Sequence, residues 1–420
     1  MRVYLHSLGC RLNQSEIERM ACQLAAAGHT LTHEPDHADV CIVNTCAVTA
    51  EAEHKSRRCA RALARANSQA KIAVVGCYAT LDAERCAALP GVRWVVPNAA
   101  KEQVIELVSG GSCEKNTLVS DSAPHLRTRA FVKVQDGCDN TCTYCLVRRL
   151  RGPGRSRSPA DVLAEVQALE RADVQEVVLT GVNLSSYGHD LGLAGGLRTL
   201  VTTLLAHSEL PRLRLSSLEP WNLDEDFFAL WEDPRLCRQL HLPLQAGCDD
   251  TLRRMGRNVT TGEFARLVEM ARAAIPDIAV TTDVITGFPG EDEAAWQSSY
   301  DFVKAAAFAR LHVFPYSPRP GTAATRLPGQ VPREVSEARA RAIRQLGAEQ
   351  AARFRQRYVG RKMAVLWEQR RPDSAWLGLT DNYIRVTTEA DSDLHNRITN
   401  THMKASRDGS LVGEIVKFAR

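Results

Sequence analysis

The chain is 420 residues long, 44% hydrophobic and 24% charged, with a formal net charge of +4. That length is more than one compact domain holds and predicts two to four. No apolar stretch approaches the roughly 18 to 20 residues of a membrane span, and the opening Met1-Arg2-Val3-Tyr4-Leu5-His6 is too short and too broken for a secretory signal. Membrane-spanning and secreted classes are thereby excluded, and a cytoplasmic protein with no membrane partner is expected.

The 13 cysteines then read as reduced thiols and metal ligands, not as a disulfide framework. Residues 1–112 alternate short β-branched runs with Ala-rich amphipathic stretches. Strands are expected at 3–7, 40–44 and 71–75, and helices at 14–27 and 49–65, the order of a small doubly wound α/β domain. Each of those strands runs into a cysteine: Gly9-Cys10, Thr45-Cys46 and Gly76-Cys77. In an open parallel sheet the three would emerge at the carboxyl ends of the strands, where such folds place ligands. Cys10, Cys46 and Cys77 are therefore expected to form a metal or cluster site. Cys22, Cys59 and Cys86 in helix-like stretches, Cys41 inside an apolar strand, and Cys113 in the Gly-rich boundary read as structural.

A linker composition at 109–112 and a polar stretch at 121–128 separate this unit from a second, 126–355. Six strands are expected there, at 131–135, 176–179, 212–216, 239–244, 279–285 and 310–314. Helical stretches lie between them at 159–171, 197–207, 262–274 and 293–307. Six βα units in series predict a partial (β/α)6, TIM-like barrel with its site at the carboxyl ends of the strands. The first strand leads into Gln135-Asp136-Gly137-Cys138-Asp139-Asn140-Thr141-Cys142-Thr143-Tyr144-Cys145. Three thiolates in one tight loop are one too few for a closed zinc site. They suit a 4Fe-4S cluster with one iron left open to a substrate or cofactor.

From 126 to 158 there are eight Lys or Arg against two Asp, a basic block beside that loop, and 331–361 is basic as well. The last unit, 358–420, changes to short strands with turns, expected at 363–368, 376–379, 383–388 and 411–417. It predicts a small antiparallel β-barrel. Such barrels bind nucleic acid through exposed basic and aromatic groups, for which Trp367, Arg370, Arg371, Trp376, Tyr383 and Arg385 are available, or else the aromatics form the core.

The cysteine loop at the end of the first barrel strand resembles that of the radical S-adenosylmethionine enzymes. Within that superfamily, Ser7-Leu8-Gly9-Cys10 with Asn13-Gln14-Ser15-Glu16, Asn44-Thr45-Cys46-Ala47-Val48-Thr49 and Gly76-Cys77 are similar to the N-terminal domain of the methylthiotransferases. Arg151-Gly152-Pro153-Gly154-Arg155-Ser156-Arg157-Ser158 resembles that family's cluster segment, and Leu411-Val412-Gly413 its C-terminal TRAM domain. The similarity runs in order over practically the whole chain. The threonylcarbamoyladenosine subfamily is approached through Leu179-Thr180-Gly181-Val182-Asn183 and through His312-Val313-Phe314-Pro315-Tyr316-Ser317-Pro318-Arg319-Pro320-Gly321-Thr322. It is interrupted after Cys145, where relatives carry an Ile-Pro-Tyr-like stretch and this chain has Leu146-Val147-Arg148-Arg149-Leu150.

The resemblance implies two 4Fe-4S clusters, an auxiliary one on Cys10, Cys46 and Cys77 and a radical-generating one on Cys138, Cys142 and Cys145. It further implies S-adenosylmethionine as cofactor, with Gly181 and Asn183 near its amino group, and glycines of Gly287-Phe288-Pro289-Gly290-Glu291 admitting adenosyl or substrate. Asp283 and Gln245 near strand ends read equally well as satisfied polar residues. The implied reaction is methylthiolation of C2 of threonylcarbamoyladenosine at tRNA position 37. It would use two S-adenosylmethionine molecules, an electron donor such as flavodoxin, and contacts from the terminal barrel to the anticodon arm. Isopentenyladenosine in tRNA, an Asp of a ribosomal protein, or a noncatalytic RNA-binding iron-sulfur sensor are the alternatives.

Overall fold

The computed structural model describes residues 1–110 and 128–418. The expected linker composition from 111 onward, with Cys113, lies outside the described residues.

Five parallel strands open the chain: β1 (Arg2–Ser7), β2 (Thr30–Thr32), β3 (Val40–Thr45), β4 (Lys71–Gly76) and β5 (Val92–Pro97), in the order β2-β1-β3-β4-β5. Their helices are α1 (Arg11–Ala26), α2 (Ala50–Ala66), α3 (Cys77–Leu81), α4 (Ala83–Ala87) and α5 (Val104–Ser109). α1 and α5 lay Ile17, Met20, Leu24, Val104 and Val108 against one face of the sheet. α2, α3 and α4 lay Ala60, Leu63, Tyr78 and Cys86 against the other. Covered on both faces, β3 is buried along its whole length, and its sequence Val-Cys-Ile-Val-Asn-Thr accordingly shows no alternation. The short β2 and the edge strand β5 were not expected from sequence. The order reverses between β2 and β3 around β1, so the crevice at the carboxyl ends of β1 and β3 is the place where this architecture receives ligands.

In the central unit, β6 (Arg129–Lys133) leads to β7 (Gln135–Asp136), which pairs antiparallel with β8 (Arg155–Ser156) across the cysteine loop and α6 (Val147–Arg151). β6, β9 (Glu176–Thr180) and β10 (Arg212–Leu215) form one parallel group; β11 (Gln239–His241), β12 (Ala279–Thr286) and β13 (Arg310–Pro315) form another. Parallel bridges Leu213 to Leu236 and Ser217 to His241 join them into a six-strand arc in sequence order, the expected partial barrel. The helices are α7 (Pro159–Arg171), α8 (Gly196–His207), α9 (Glu225–Phe228), α10 (Asp249–Met255), α11 (Thr261–Ala274), α12 (Glu293–Ala306) and α13 (Arg333–Gln356). Local chemistry fixes several starts. Ser158 caps α7 ahead of Pro159, and Thr260 with Glu263 forms a capping box on α11.

The terminal unit is a closed barrel of β14 (Lys362–Arg370), β15 (Ala375–Thr380), β16 (Arg385–Glu389), β17 (Ile398–Arg407) and β18 (Ser410–Phe418), ordered β14-β15-β16-β18-β17. The ten-residue β17 escaped the sequence reading because its inward positions are Thr399, Thr401 and Met403, too polar to stand out as a strand. Trp367 and Trp376, considered above as exposed RNA platforms, are core: both are buried with Val365, Val386 and Met403. Trp367 Nε1 donates to Thr399 Oγ1 at 2.8 Å. Arg370, Arg371 and Arg385 remain exposed.

This barrel seats against the strand-start end of the arc through buried arginines. Arg214 grips Glu176 with two hydrogen bonds, 2.7 and 3.1 Å, and donates to the Asp381 carbonyl at 2.8 Å. Arg212 donates to the Leu379 and Ala364 carbonyls at 3.0 and 2.8 Å. Tyr383 has Arg214, Arg11 and Arg129 over its ring at 4.9, 5.3 and 5.9 Å. Burial opposes ionisation of Glu176, but Arg214, Arg129 and Arg212 outweigh it and hold the carboxyl at about 2, against an ordinary 4.5. A depressed carboxyl stabilises the fold above its ordinary value and loses that contribution as pH falls through its folded value. Denaturant unfolding should therefore show a loss between pH 4.5 and about 2 that is absent in Glu176→Gln. At neutral pH that variant should be less stable by about 3–5 kcal/mol, because its arginines stay buried without a countercharge.

Candidate active site

Cys10 follows β1 as the N-cap of α1, Cys46 follows β3, and Cys77 follows β4 as the first residue of α3. The three strand ends thus meet at one edge of the sheet, as the sequence pattern suggested. Gly9 makes the approach possible: at φ +97° its backbone lies so close that a Cβ would stand 2.5 Å from Cys46 Cβ and 2.9 Å from its Sγ. Asn13 ties the strand ends together, donating to Leu8 O at 2.7 Å and to Thr45 O at 3.0 Å. Asn98 Nδ2 lies 3.5 Å from Cys77 Sγ and 2.9 Å from Leu150 O. Burial pushes the Cys46 thiol up to about 11, with the neighbouring Cys10 and Cys77 adding to the rise. A thiol held there is protonated unless a bound cation supplies the compensating charge.

The loop of Cys138, Cys142 and Cys145 is held by its flanks. Cys138 N–H donates to Gly152 O at 3.1 Å and Cys145 N–H to Cys142 O at 3.1 Å. Gly137, at φ +72°, passes so close to Pro153 that a Cβ would lie 1.9 Å from its carbonyl oxygen. Gln135 connects this loop to the exit of β9. Its Nε2 donates to Gly137 O at 2.8 Å, and its Oε1 accepts from the N–H groups of Val182 and Asn183, both at 2.9 Å. Gly181 is needed for that contact, since a Cβ there would meet Gln135 Oε1 at 3.0 Å and Leu184 at 2.8 Å. Asn183 is buried with its Oδ1 unpartnered, a polar atom facing no protein donor. The glycine run after β12 has a different basis. Gly287 makes room for Ser336 of α13, 2.4 Å from a would-be Cβ, and Glu291 accepts from Gly287 N–H and Arg339 at 2.9 Å each.

Arg151 links the two cysteine sets. At the end of α6, it donates to Glu16 Oε1 at 3.1 Å, Asp136 Oδ1 at 2.8 Å and Asn13 Oδ1 at 2.6 Å. Lys101 Nζ reaches the other Glu16 oxygen at 2.5 Å, and Lys133 Nζ lies 3.5 Å from Glu16 and 3.4 Å from Asp136. Burial opposes ionisation of Glu16, but Lys101, Arg151 and Lys133 together hold its carboxyl well below the usual range. Asn13, Glu16 and Arg151 belong to motifs singled out in the sequence, whereas Lys101 and Lys133 carry no such signal. Arg257 was missed as well. It sits beside Cys142, donates to Pro243 O at 2.6 Å, pairs with Glu219 at 2.7 Å, and lies over the Trp221 ring at 4.9 Å.

Among the described residues, the one set of three His, Cys, Asp or Glu ligand atoms lying within 4.8 Å of one another is His241, Asp283 and His312. Neither cysteine triad has its three sulfurs within 4.8 Å of one another, and all-thiol ligand sets suit iron-sulfur clusters.

Comparison with known proteins agrees with this geometry. Residues 2–96 match the model of the uncharacterized protein family UPF0004, and residues 132–303 match the radical SAM superfamily. The threonylcarbamoyladenosine tRNA methylthiotransferase MtaB of Thermotoga maritima is 36% identical over 87% of this chain and 86% of its own length. That of Bacillus subtilis is 33% identical over 94% and 92%. The tRNA-2-methylthio-N(6)-dimethylallyladenosine synthase of Frankia alni is 37% identical over 86% and 76%. Among solved structures, the radical S-adenosylmethionine methyltransferase TsrM of Kitasatospora setae shares the fold, with a TM-score of 0.56 at 14% identity over 76% of each chain.

Replacing Arg151 with Met should leave Lys133 as the one cation shared by Asp136 and Glu16 beside Lys101, and cost about 3 kcal/mol, read as an earlier urea transition. Arg148→Met, an exposed side chain whose guanidinium touches the Asp139 carbonyl, should shift that transition by less than about 0.5 kcal/mol.

Proposed function

The chain belongs to the radical S-adenosylmethionine methylthiotransferase family, and from that premise we propose that it methylthiolates C2 of N6-threonylcarbamoyladenosine at position 37 of tRNA. The relatives named above are tRNA-modifying enzymes, and the family works with S-adenosylmethionine and two 4Fe-4S clusters. Cys10, Cys46 and Cys77 would hold the auxiliary cluster, and Cys138, Cys142 and Cys145 the radical-generating one. When bound, the auxiliary cluster would supply sulfur-transfer chemistry and the second cluster one-electron cleavage of S-adenosylmethionine, with two S-adenosylmethionine molecules consumed per methylthio group inserted.

The chain's own part is placement. Gln135 and Gly181 fix the β9 exit against the radical loop, and the unpartnered Asn183 Oδ1 is an acceptor for the amino group of the cofactor. Arg151, bonded to Asn13, holds one cysteine set at a set distance from the other. Electrons would come from flavodoxin or a similar donor, and the terminal barrel, with exposed Arg370, Arg371 and Arg385, would meet the anticodon arm, so that binding weakens with salt.

The choice of nucleoside rests on one observation. Arg148 and Arg149 are both exposed beside Cys145, and Arg149 reaches over Gly321, whose would-be Cβ is 2.5 Å from its Nη1. A threonylcarbamoyl group carries a carboxylate, which an exposed guanidinium such as that of Arg149 recognises; a dimethylallyl group carries none.

Reconstituted protein, reductant, S-adenosylmethionine and tRNA from a methylthiotransferase-deficient strain test the reading by nucleoside mass spectrometry. The methylthio group should appear on threonylcarbamoyladenosine, and its appearance on isopentenyladenosine alone would refute the substrate. Cys46→Ala should keep about four irons in place of about eight and still release 5'-deoxyadenosine without methylthio product. Cys142→Ala should release neither.

A further inference from the structure

Inside the arc stands a third set of side chains of metal-ligating type, with no part in the reaction proposed above. Leu240, Val280, Val284, Leu311 and Val313 pack between the strands and the outer helices. Alternation along β11, β12 and β13 therefore turns His241, Thr281, Asp283 and His312 to the inner face. Strand register sets Asp283 beside His312 and Thr281 beside His241. His241 Nε2 is 3.4 Å and His312 Nδ1 3.1 Å from the same oxygen, Asp283 Oδ1.

The hydrogen positions decide what that convergence means. Thr281 Oγ1 donates to Leu240 O at 3.2 Å, so His241 Nδ1, 3.0 Å away, donates to Thr281. The Nε2 of a neutral His241 then turns a lone pair toward a carboxylate oxygen, a repulsion that a cation between them converts into two bonds. Two imidazoles and one carboxylate on one side of an ion, with the remaining positions open, are a donor set of first-row divalent cations. Bonds of about 2.0–2.2 Å at right angles place the ligand atoms about 3 Å apart, close to the 3.4 and 3.1 Å from the two imidazoles to Asp283 Oδ1, with all three ligand atoms within 4.8 Å of one another. The Thr281 hydroxyl is the outer partner that fixes a ligating imidazole in orientation. Gln239, with Nε2 3.5 Å from that hydroxyl, keeps a buried Oε1 without a partner, an acceptor for water brought in with the ion. The His312 side chain is 40% exposed, which leaves a route in.

We propose that His241, Asp283 and His312 bind one divalent first-row cation of the Mn2+ or Fe2+ class, separate from both cysteine sites.

The probe is Mn2+ added to the cluster-loaded protein, whose cysteines are already occupied and whose thiolates suit this hard ion poorly. Free Mn2+ is counted by electron paramagnetic resonance, and the bound ion is examined for nitrogen couplings. One saturable site with histidine nitrogen couplings is expected, weakened at least tenfold in Asp283→Asn and in His312→Ala. The half-exposed His312 can be removed without opening the core, so that variant decides the matter if Asp283→Asn fails to fold. Absence of a saturable site, or equal binding by wild type and His312→Ala, overturns the assignment. Because the readout is ion occupancy, it stands or fails independently of any tRNA modification.

Discussion

Glu16 is a carboxylate almost wholly withdrawn from water, and three cations from different parts of the chain converge on it. Lys101 arrives from the N-terminal sheet, Lys133 from the first barrel strand, and Arg151 from the helix that leaves the cysteine loop. Each ion alone would suffer a desolvation penalty of several kcal/mol. Together, with Asp136 and Asn13 accepting two further guanidinium hydrogens of Arg151, they balance one another. Such a node is a poor source of net stability but a strict geometric requirement, because removing one partner leaves the others buried and unpaired. Its geometry matters here because Arg151 is six residues past Cys145 and within electrostatic reach of Cys10 and Cys77. The two cysteine sets are thus set apart by a polar contact that does not slide.

A second node works on the same principle at the other end of the arc. Strand starts in a parallel barrel leave backbone and core open to water unless something covers them. Here Arg212 and Arg214 spend their donors on carbonyls of the terminal barrel, while Glu176 balances their charge from inside. Tyr383 lies under the guanidinium groups of Arg214, Arg11 and Arg129. The aromatic and basic content that composition offers to RNA is thereby divided. Trp367, Trp376 and Tyr383 are used in folding and docking, and Arg370, Arg371 and Arg385 stay exposed for a polyanion.

The division explains which features were legible in the sequence. Cysteine placement was readable because each of three strand ends is a short apolar run broken by its own cysteine, and a parallel sheet brings such ends to one edge. Helix α7 was readable to the residue because Ser158 and Pro159 are local signals that need no tertiary partner. β17 was not, since Thr399 and Thr401 satisfy each other inside the barrel, and a pattern of inward threonines reads as polar. The ion nodes were invisible for a related reason. A buried Lys101 or Arg212 looks in sequence like any surface cation until its carboxylate, 85 or 36 residues away, is placed beside it. The glycines after β12 read as openings for a ligand, yet Gly287 admits Ser336 of the chain itself.

One helix joins all of these constraints. α1 begins at Cys10, and its next residue, Arg11, donates to the Tyr383 hydroxyl of the terminal barrel. Asn13 and Glu16, on following turns, hold Arg151, and Glu18 accepts from the N–H of Phe131 on the edge strand β6 at 3.4 Å. An exposed edge strand invites misplaced pairing, and α1 covers that edge while its N-cap supplies an expected cluster ligand. Side chains three to four apart on a helix share a face, so 16 residues suffice to fix the auxiliary site against the arc and against the terminal barrel at once. A shift of α1 along its axis would move Cys10, release Tyr383 and uncouple Glu16 together. The positions of the three units are therefore one adjustment, not three, and the separation between the two cysteine sets inherits the rigidity of a single helix.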